Sequence, residues 1–200
     1  MRVRAGKVGA RHRAPTAAIL PRPPGAVSDP VFRVNRMYDG VQITSSPRFL
    51  PPDFDELVEE SVIEGYRYLE RMRRDWATDA ALFSGPGECL FRAHAGPHTL
   101  GLCGRTRDPY APGDRIGRIR HLYVRPAARN RGVGSALMTA VINGAARYFS
   151  QLRLRSSSTA ASRLYPKHGF DLVRDDAYAT HRLVLSPEAV RLSATLRRRR

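Results

Sequence analysis

The sequence predicts a single mixed α/β (α+β) domain with a central, mostly antiparallel, twisted sheet of about six or seven strands and flanking helices. Its 200 residues suit one hydrophobic core, since chains longer than roughly 200–300 residues usually divide into several domains. Hydrophobic residues make up 42% of the chain and charged residues 26%, as in ordinary globular proteins. Strand patterns come first and alternate with helical patterns later, so we expect antiparallel pairing followed by a strand–helix–strand crossover.

The first half contains a strand, a helix and a hairpin. Residues 41–44 alternate between apolar and polar side chains, as a half-buried strand does. Asp53 with Glu56 three residues later forms a capping-box pattern, and the apolar spacing that follows predicts one helix to about Trp76. Gly96 with Pro97 predicts a tight turn between two strands. These two strands are Cys89–Phe91 and Thr99–Cys103.

The second half contains the crossover. Ile116–Val124 is predicted to be the central strand, which Pro126 ends. Helical spacing then runs from Gly132 to about Ser150. The remaining predicted elements are a strand at Leu152–Leu154, a short helix at Thr159–His168 and a closing strand at Tyr178–Leu185.

The net charge of +16 lies mostly in the two ends of the chain. Residues 1–36 mix Arg, Pro and Ala without helical or strand periodicity, which predicts a flexible basic arm. The folded domain is expected at 37–186, and a C-terminal helix with a solvated basic tail at 187–200. Within the domain, residues 81–185 hold sixteen basic and six acidic side chains, so this part should attract an anion.

Membrane and metal partners are not expected. No segment approaches the roughly 18 apolar residues that a spanning helix needs, and the N-terminus lacks the apolar region of a secretory signal. We therefore expect a cytoplasmic protein without a membrane partner. Cys89 and Cys103 have no Cys/His spacing typical of a zinc site, which predicts free thiols and no metal.

The segment that carries most information is Arg125–Ser135, which joins the central strand to the following helix. Gly132 and Gly134 let backbone N–H groups approach a phosphate, and the helix N-terminus adds a positive partial charge. Arg129 and Arg131 add cationic side chains. The segment lacks the Lys of a P-loop and the third glycine of a dinucleotide-binding fingerprint. The alternative is a glycine-rich helix start that binds nothing.

The pattern R-x-x-G-x-G at 129–134, after a strand ending Leu-Tyr-Val-x-Pro, is followed by Y-x-x-x-G-F at 165–170. Together these motifs resemble the acetyl-CoA motifs of the GNAT superfamily of N-acetyltransferases, over roughly residues 90–185. The resemblance implies a GNAT-like acyl-CoA N-acyltransferase fold and acetyl-CoA as co-substrate. It also implies transfer of an acetyl group to a primary amine by direct attack in a ternary complex.

Several residues acquire expected roles from this resemblance. The pyrophosphate would be held by Arg129, Asn130, Arg131, Gly132, Val133, Gly134 and Ser135. The pantetheine arm would be lined by Leu122, Tyr123 and Val124. Ser158 stands where family members frequently have an Asn that contacts this arm, so Ser158 is a further candidate with a weaker or rearranged contact.

Tyr165 matches the general acid that family members use to protonate the leaving thiolate, although a packing role is the alternative. The general base departs from the pattern, because Arg118 occupies the position that is often Glu. His121 is the nearest side chain that titrates near neutrality, which makes it a candidate catalytic base. Asp108, Asp114 or a chain of water molecules are the other candidates.

A second function class stays open. The Arg-rich ends could bind nucleic acid or a protein partner, with the domain as a catalytically degenerate scaffold. Nucleic-acid binding is the less expected class, because aromatic residues are not interleaved with the basic ones as in single-strand binders. A homodimer is compatible with the sequence, and the amine acceptor, a small molecule or a protein, stays unidentified.

Overall fold

The computed structural model describes residues 32–33, 40–46, 50–78 and 82–185, which form one eight-stranded sheet with helices on both faces. The strands are β1 (Phe32–Arg33), β2 (Gln42–Ser46), β3 (Cys89–Ala95), β4 (His98–Arg107), β5 (Ile116–Val124), β6 (Gln151–Leu154), β7 (Asp171–Leu172) and β8 (His181–Val184). The helices are α1 (Phe54–Ile63), α2 (Tyr68–Thr78), α3 (Val133–Ile142) and α4 (Thr159–Ser162), with 3₁₀ turns at Pro126–Ala128, Ala145–Arg147 and Pro166–His168.

The order of strands in the sheet is β1-β2-β3-β4-β5-β6-β8-β7. Every neighbouring pair is antiparallel except β5 and β6, which are parallel and are connected through α3. This arrangement confirms the predicted mixed α/β fold with its antiparallel first part and later crossover. The hairpin between β3 and β4 turns at residues 96–97, as predicted, and Gly96 adopts a φ of 56° there.

Two hydrophobic cores lie on opposite faces of the sheet. The α3 core contains Leu137, Val141 and Leu152, all with 0% exposure. The core under α1 and α2 contains Leu57 and Leu69, also fully buried. Burial of apolar side chains on both faces is the main stabilising term and holds the central strands rigidly.

The predicted helix from residue 53 to Trp76 is in fact two helices. Gly65 has a φ of 83°, in the left-handed region, and ends the first helix in a tight turn. Asp53 does not cap α1 with its side chain, because its carboxylate accepts hydrogen bonds from the backbone N–H and the hydroxyl of Thr99 instead. The Asp53 side chain, which the local pattern predicted as the cap of α1, therefore binds the distant strand β4 instead.

Two other predicted helices are also shorter than expected. The helix that starts after Gly132 ends at Ile142, because Asn143 is extended and Gly144 is left-handed at a φ of 72°. The segment 159–168 is one turn of helix, α4, followed by a 3₁₀ turn at Pro166–His168.

The ends of the domain differ in part from expectation. Phe32–Arg33, inside the predicted flexible arm, pair with β2 as the edge strand β1. The rest of the predicted arm, residues 1–31 and 34–36, and the predicted helix and tail at 187–200 lie outside the described residues. Within the described part, no helix is long and apolar enough to cross a membrane. The same residues contain no cluster of three or more His, Cys, Asp or Glu suited to a metal ion.

Candidate active site

The site begins where two parallel strands part. β5 and β6 are paired only over Ile116–Arg118 and Gln151–Arg153. Beyond these pairs β5 continues to Val124 and stays paired with β4 alone within the described chain. An extra residue at His121, with a φ of 57°, makes a β-bulge that bends β5 at this point. The result is an opening between β5 and β6 in the middle of the sheet.

The loop that follows β5 forms one end of this opening. Asn130 and Gly132 have φ values of 58° and 73°, and this geometry turns the chain directly into α3. The first intrahelical bond runs from the N–H of Ala136 to the carbonyl of Gly132 at 2.9 Å. The N–H groups of the first turn of a helix have no intrahelical acceptor and point out of its end. This geometry fits a pyrophosphate group.

Not all of the residues predicted to bind this group offer their side chains to it. Val133 is buried in the α3 core, so only its backbone N–H is available. The Ser135 hydroxyl is 2.9 Å from Nε2 of His168, which ties α3 to the 3₁₀ turn after Tyr165. Gly134 has no positive φ, and a Cβ added there would meet Leu164 at an ordinary 3.6 Å.

Arg129 is engaged within the protein. Its guanidinium donates to both carboxylate oxygens of Glu64 at 2.5 and 2.6 Å, and its Nε donates to the carbonyl of Val124 at 3.0 Å. Glu64, foremost through its hydrogen bond from Arg129, has a lowered pKa. Arg125 is held similarly by three acids of the α1 region: Asp53, Glu56 and Glu60. Arg131 is exposed and carries the remaining cationic side chain of the loop.

The three residues predicted to line the pantetheine arm lie on β5 beside the opening. Tyr123 is 2% exposed, and its hydroxyl donates to Glu64 at 2.9 Å, so its side chain belongs to the α1/α2 core. Leu122 and Val124 pack against the α3 core. Because the N–H of Arg125 points towards β4, those of Leu122 and Val124 point to the opposite edge, towards the opening.

Tyr165 lies between α4 and the following 3₁₀ turn, with 5% exposure. Its ring contacts His181 at a centroid distance of 5.0 Å. Burial raises the pKa of Tyr165 to about 12, opposed by a hydrogen bond with the Ser156 hydroxyl. The phenol therefore keeps its proton throughout the neutral range.

A second phenol approaches the opening from the other side. Tyr68, the first residue of α2, donates its hydroxyl proton to the carbonyl of Leu122 at 3.1 Å. Burial raises the pKa of Tyr68, and an electrostatic interaction with Tyr165 contributes. One phenol is thus bonded to β5 and the other to Ser156, just beyond the end of β6.

Ser158 is the N-cap of α4, where its hydroxyl accepts a hydrogen bond from the N–H of Ala161 at 3.3 Å. Its own N–H donates to the hydroxyl of Ser156 at 3.2 Å. Ser158 therefore supports Ser156, which in turn contacts Tyr165. Its predicted contact with the pantetheine arm stays a prediction.

The structure gives His121 an environment unsuited to a base. Both ring nitrogens are buried without a hydrogen bond of normal geometry in the described residues, and the ring packs between Tyr68 and Phe83. Burial, together with the charges of Arg120 and Arg71, lowers the pKa of His121 to about 3, although a backbone contact with Tyr68 opposes this shift. The imidazole is neutral at pH 7 and has little affinity for a further proton.

The two carboxylates considered as the base are both ion-paired. Asp108 has no exposed side-chain surface and lies 3.4 Å from both Arg118 and Arg153. Asp114 is exposed and pairs with Arg107 at 2.7 Å.

Comparison with known proteins agrees with this geometry. Residues 86–172 match the family model of the acetyltransferase (GNAT) domain. Residues 86–172 are a GNAT acetyltransferase domain. The predicted membership of the GNAT superfamily is thereby confirmed, and this family uses acetyl-CoA.

Solved structures share the fold of the GNAT domain. A protein assigned as an acetyltransferase from Exiguobacterium sp. 255-15 is 29% identical, with a TM-score of 0.66 over 77% of this chain and 97% of that chain. A GCN5-related N-acetyltransferase from Kribbella flavida is 24% identical, with a TM-score of 0.57 over 74% and 99%. A protein assigned as an acetyltransferase from Salmonella typhimurium, solved with acetyl-CoA, is 16% identical, with a TM-score of 0.52 over 72% and 95%. No match was found among curated proteins.

Sequence reasoning missed three residues that contact Tyr165 or β5 beside the opening: Tyr68, Ser156 and His181. Tyr68 falls outside the apolar spacing of a single long helix, and only the break at Gly65 places it at the start of α2. His181 is buried against Tyr165 in the closing strand, and burial lowers its pKa. A histidine and a serine in such positions have no local pattern that distinguishes them from packing residues.

Proposed function

We propose that the protein is an acetyl-CoA-dependent N-acetyltransferase that transfers the acetyl group to a primary amine by direct attack in a ternary complex. The acceptor is a small molecule or a protein. One observation carries the proposal: the opening between β5 and β6 has a phosphate-binding geometry at the start of α3 and two protonated phenols on its two sides. Cytoplasmic location stays part of this proposal.

The residues at the opening fit coenzyme A. The N–H groups at the start of α3 and the exposed Arg131 would hold the pyrophosphate. The N–H groups of Leu122 and Val124 are directed towards the place where the pantetheine arm would lie. Acetyl-CoA, when bound, supplies the acetyl group as a thioester.

Tyr165 is proposed as the general acid. A pKa of about 12 keeps its proton on the hydroxyl until negative charge develops on the departing sulfur. Since an ordinary thiol, with a pKa of about 8.5, is a stronger acid than Tyr165, transfer to a free thiolate is uphill, and the phenol acts by stabilising the negative charge that develops on sulfur in the transition state. Ser156, itself supported by the N–H of Ser158, holds the Tyr165 hydroxyl in position.

The environments of His121, Asp108 and Asp114 count against each of them as the base that takes the ammonium proton. Of the alternatives considered from the sequence, a chain of water molecules is the one that these contacts do not oppose. We propose that the amine loses its proton to water before it attacks. The rival function of the basic ends, binding of nucleic acid or a protein partner, stays a prediction from composition.

The proposal is tested by incubating the full chain with acetyl-CoA and a panel of small amines, amino acids and peptides, and by measuring thiol release. The matched control is Tyr165→Phe, which keeps the ring and removes the hydroxyl. Thiol release that depends on an amine and falls in the variant supports the proposal. Absence of amine-dependent release across the panel, in protein shown by calorimetry to bind acetyl-CoA, contradicts it.

A further inference from the structure

A row of arginines crosses the half of the sheet that contains the opening. The register places Arg118 opposite Arg153 and Arg153 opposite Arg182, on β5, β6 and β8. Side chains of cross-strand partners lie on the same face of a sheet. Their neighbour Leu152 is part of the α3 core, so the arginines occupy the other face.

Arg120 is on the same face, two residues beyond Arg118 on β5. It is opposite Gly104, where an added Cβ would collide with Phe83 of the α1/α2 core at 2.4 Å. The last parallel pair between β5 and β6 is Arg118 with Arg153. Arg120 is therefore the first side chain on this face beside the opening.

Two carboxylates balance the positive charges of Arg118 and Arg153. Asp108 lies between Arg118 and Arg153 at 3.4 Å from each. Asp176 binds Arg153 at 2.6 Å. The four side chains form a closed, largely buried network with no net charge.

Arg120 is outside this network. It is half-buried, and it forms no ion pair or side-chain hydrogen bond within the described residues. Burial and the neighbouring charge of Arg118 lower its pKa, whereas electrostatic interactions with Tyr110, Asp75 and Asp108 oppose this shift without forming a direct ion pair. A guanidinium that has lost much of its water and has no direct ion pair is costly, so an anionic ligand at this position would stabilise it.

An aromatic surface lies beside these arginines. The rings of Tyr110 and Tyr178 are stacked at 4.8 Å, parallel within 1°, although each residue is about half exposed, at 53% and 51%. Arg118 lies 5.0 Å from the centre of the Tyr110 ring and donates to the carbonyl of Tyr178 at 3.0 Å. The buried network thus holds an exposed aromatic pair near Arg120, the arginine that has no direct ion pair.

We propose that the acetyl acceptor is an amine that also carries a carboxylate, and that Arg120 binds this carboxylate beside the Tyr110–Tyr178 pair. The inference rests on the proposed N-acetyltransferase function and specifies its substrate class. A guanidinium can hold a carboxylate through two parallel N–H donors, which also orients the acceptor. A neutral acceptor of the same size would leave Arg120 unpaired and would be disfavoured.

The test measures binding of acetylated products, so it needs no turnover. The full chain is titrated by calorimetry with N-acetylglycine, N-acetylleucine and N-acetyltyrosine, and with the primary amide of each. We expect at least one acid to bind about tenfold or more tightly than its amide, the range for a charged hydrogen bond. Arg120→Gln should abolish this difference, and Arg120→Lys should retain part of it. Arg182→Gln, an exposed arginine in the same row, is the matched control and should leave the difference unchanged.

Each outcome decides the inference. It is overturned if none of the acids binds, if every amide binds as tightly as its acid, or if the preference for the acid survives in a folded Arg120→Gln variant. The comparison of acid with amide in the unaltered protein decides the matter even where a variant does not fold. A preference for the acid that depends on Arg120, together with no amine-dependent thiol release, would contradict the proposed function and leave the carboxylate site standing.

Discussion

At Tyr165 and His121, burial determines which protonation state each side chain keeps. Burial disfavours the charged form of any group, so the same physical effect raises the pKa of the phenol and lowers that of the imidazole. At pH 7 Tyr165 is consequently a neutral phenol, and His121 is a neutral imidazole without its second ring proton. Tyr165 can therefore still donate its proton, whereas His121 has too little affinity for a proton to act as the predicted base.

Tyr165→Phe should lower kcat by about 10²-fold or more while the dissociation constant of acetyl-CoA changes little, because only the donated proton is lost. The measurement is steady-state kinetics together with calorimetric titration of acetyl-CoA. Tyr148→Phe, at a residue that is 44% exposed, is the control for loss of a phenol hydroxyl. Full activity in Tyr165→Phe would assign the tyrosine a packing role.

His121 should make the fold sensitive to acid. Its pKa of about 3 in the folded protein is below the value of about 6.5 in the unfolded chain. The unfolded state therefore binds the extra proton as pH falls below about 6.5, and stability decreases from there towards pH 3.

His121→Asn should reduce this decrease by up to about 1.4 kcal/mol per pH unit, the contribution of one proton, because Asn tolerates the left-handed backbone but does not titrate. Urea unfolding at pH 4, 5 and 7 measures the change. If His121 is not the base, the pH dependence of kcat/KM from pH 6 to 9 should be the same in the variant. A flattened acidic limb would instead identify His121 as the base.

At the scale of elements, the turn from β5 into α3 depends on one glycine more than on the other. Gly132 is left-handed, whereas Gly134 is an ordinary helical residue with room for a Cβ. The sequence pattern alone treats these two glycines as equivalent. Their backbone geometry separates them.

Gly132→Val should abolish measurable binding of acetyl-CoA, since a β-branched residue strongly disfavours a φ of 73° and would displace the N–H groups at the start of α3. Gly134→Ala should bind nearly normally, because the new methyl group would meet Leu164 and Val124 at ordinary distances. Calorimetry of both folded variants checks the contrast. Equal losses of affinity would mean that the ligand itself occupies the space at Gly134.

The two arginines of the loop should also differ. Arg129 is bound to Glu64 on the α1/α2 side, whereas Arg131 is exposed. We expect Arg131→Gln to weaken acetyl-CoA binding more than Arg129→Gln. We also expect Arg131→Gln to make acetyl-CoA binding less dependent on salt, because salt screens the interaction between an exposed charge and a phosphate. A larger loss in Arg129→Gln would show that Arg129 leaves Glu64 when the coenzyme binds.

At the scale of the whole molecule, the described domain begins with β1 at Phe32–Arg33. Removal of residues 1–31 should leave the domain folded, because this segment has no apolar periodicity with which to join a core. Acetyl-CoA should raise the Tm of the shortened and the full chain equally, since a ligand that binds only the folded state stabilises it by mass action. Removal of residues 1–35 is the comparison, because it also deletes β1. Loss of folding in the first truncation would show that the arm takes part in the core.

At several positions the tertiary structure forms contacts that differ from those predicted by the local sequence pattern. Asp53 and Glu56 have the spacing of a capping box, yet Asp53 binds Thr99 and both acids reach Arg125. The apolar spacing after Asp53 continues past Gly65, although the chain turns there. Sequence spacing reports which residues share a helical face, but it does not report that a distant strand competes for the same side chain.

The sequence by itself determined the order of the strands β2–β6 and β8, the hairpin at Gly96 and the glycine-rich turn into α3, because these depend on hydrophobic period and on backbone freedom within a few residues. Only the tertiary structure decided what each charged or titratable group does. Burial of His121, the pairing of Arg129 with Glu64 and the lack of a direct ion pair at Arg120 depend on contacts between residues far apart in the chain. Electrostatic free energy depends on distance and desolvation in three dimensions, and neither is encoded in the local pattern of residues.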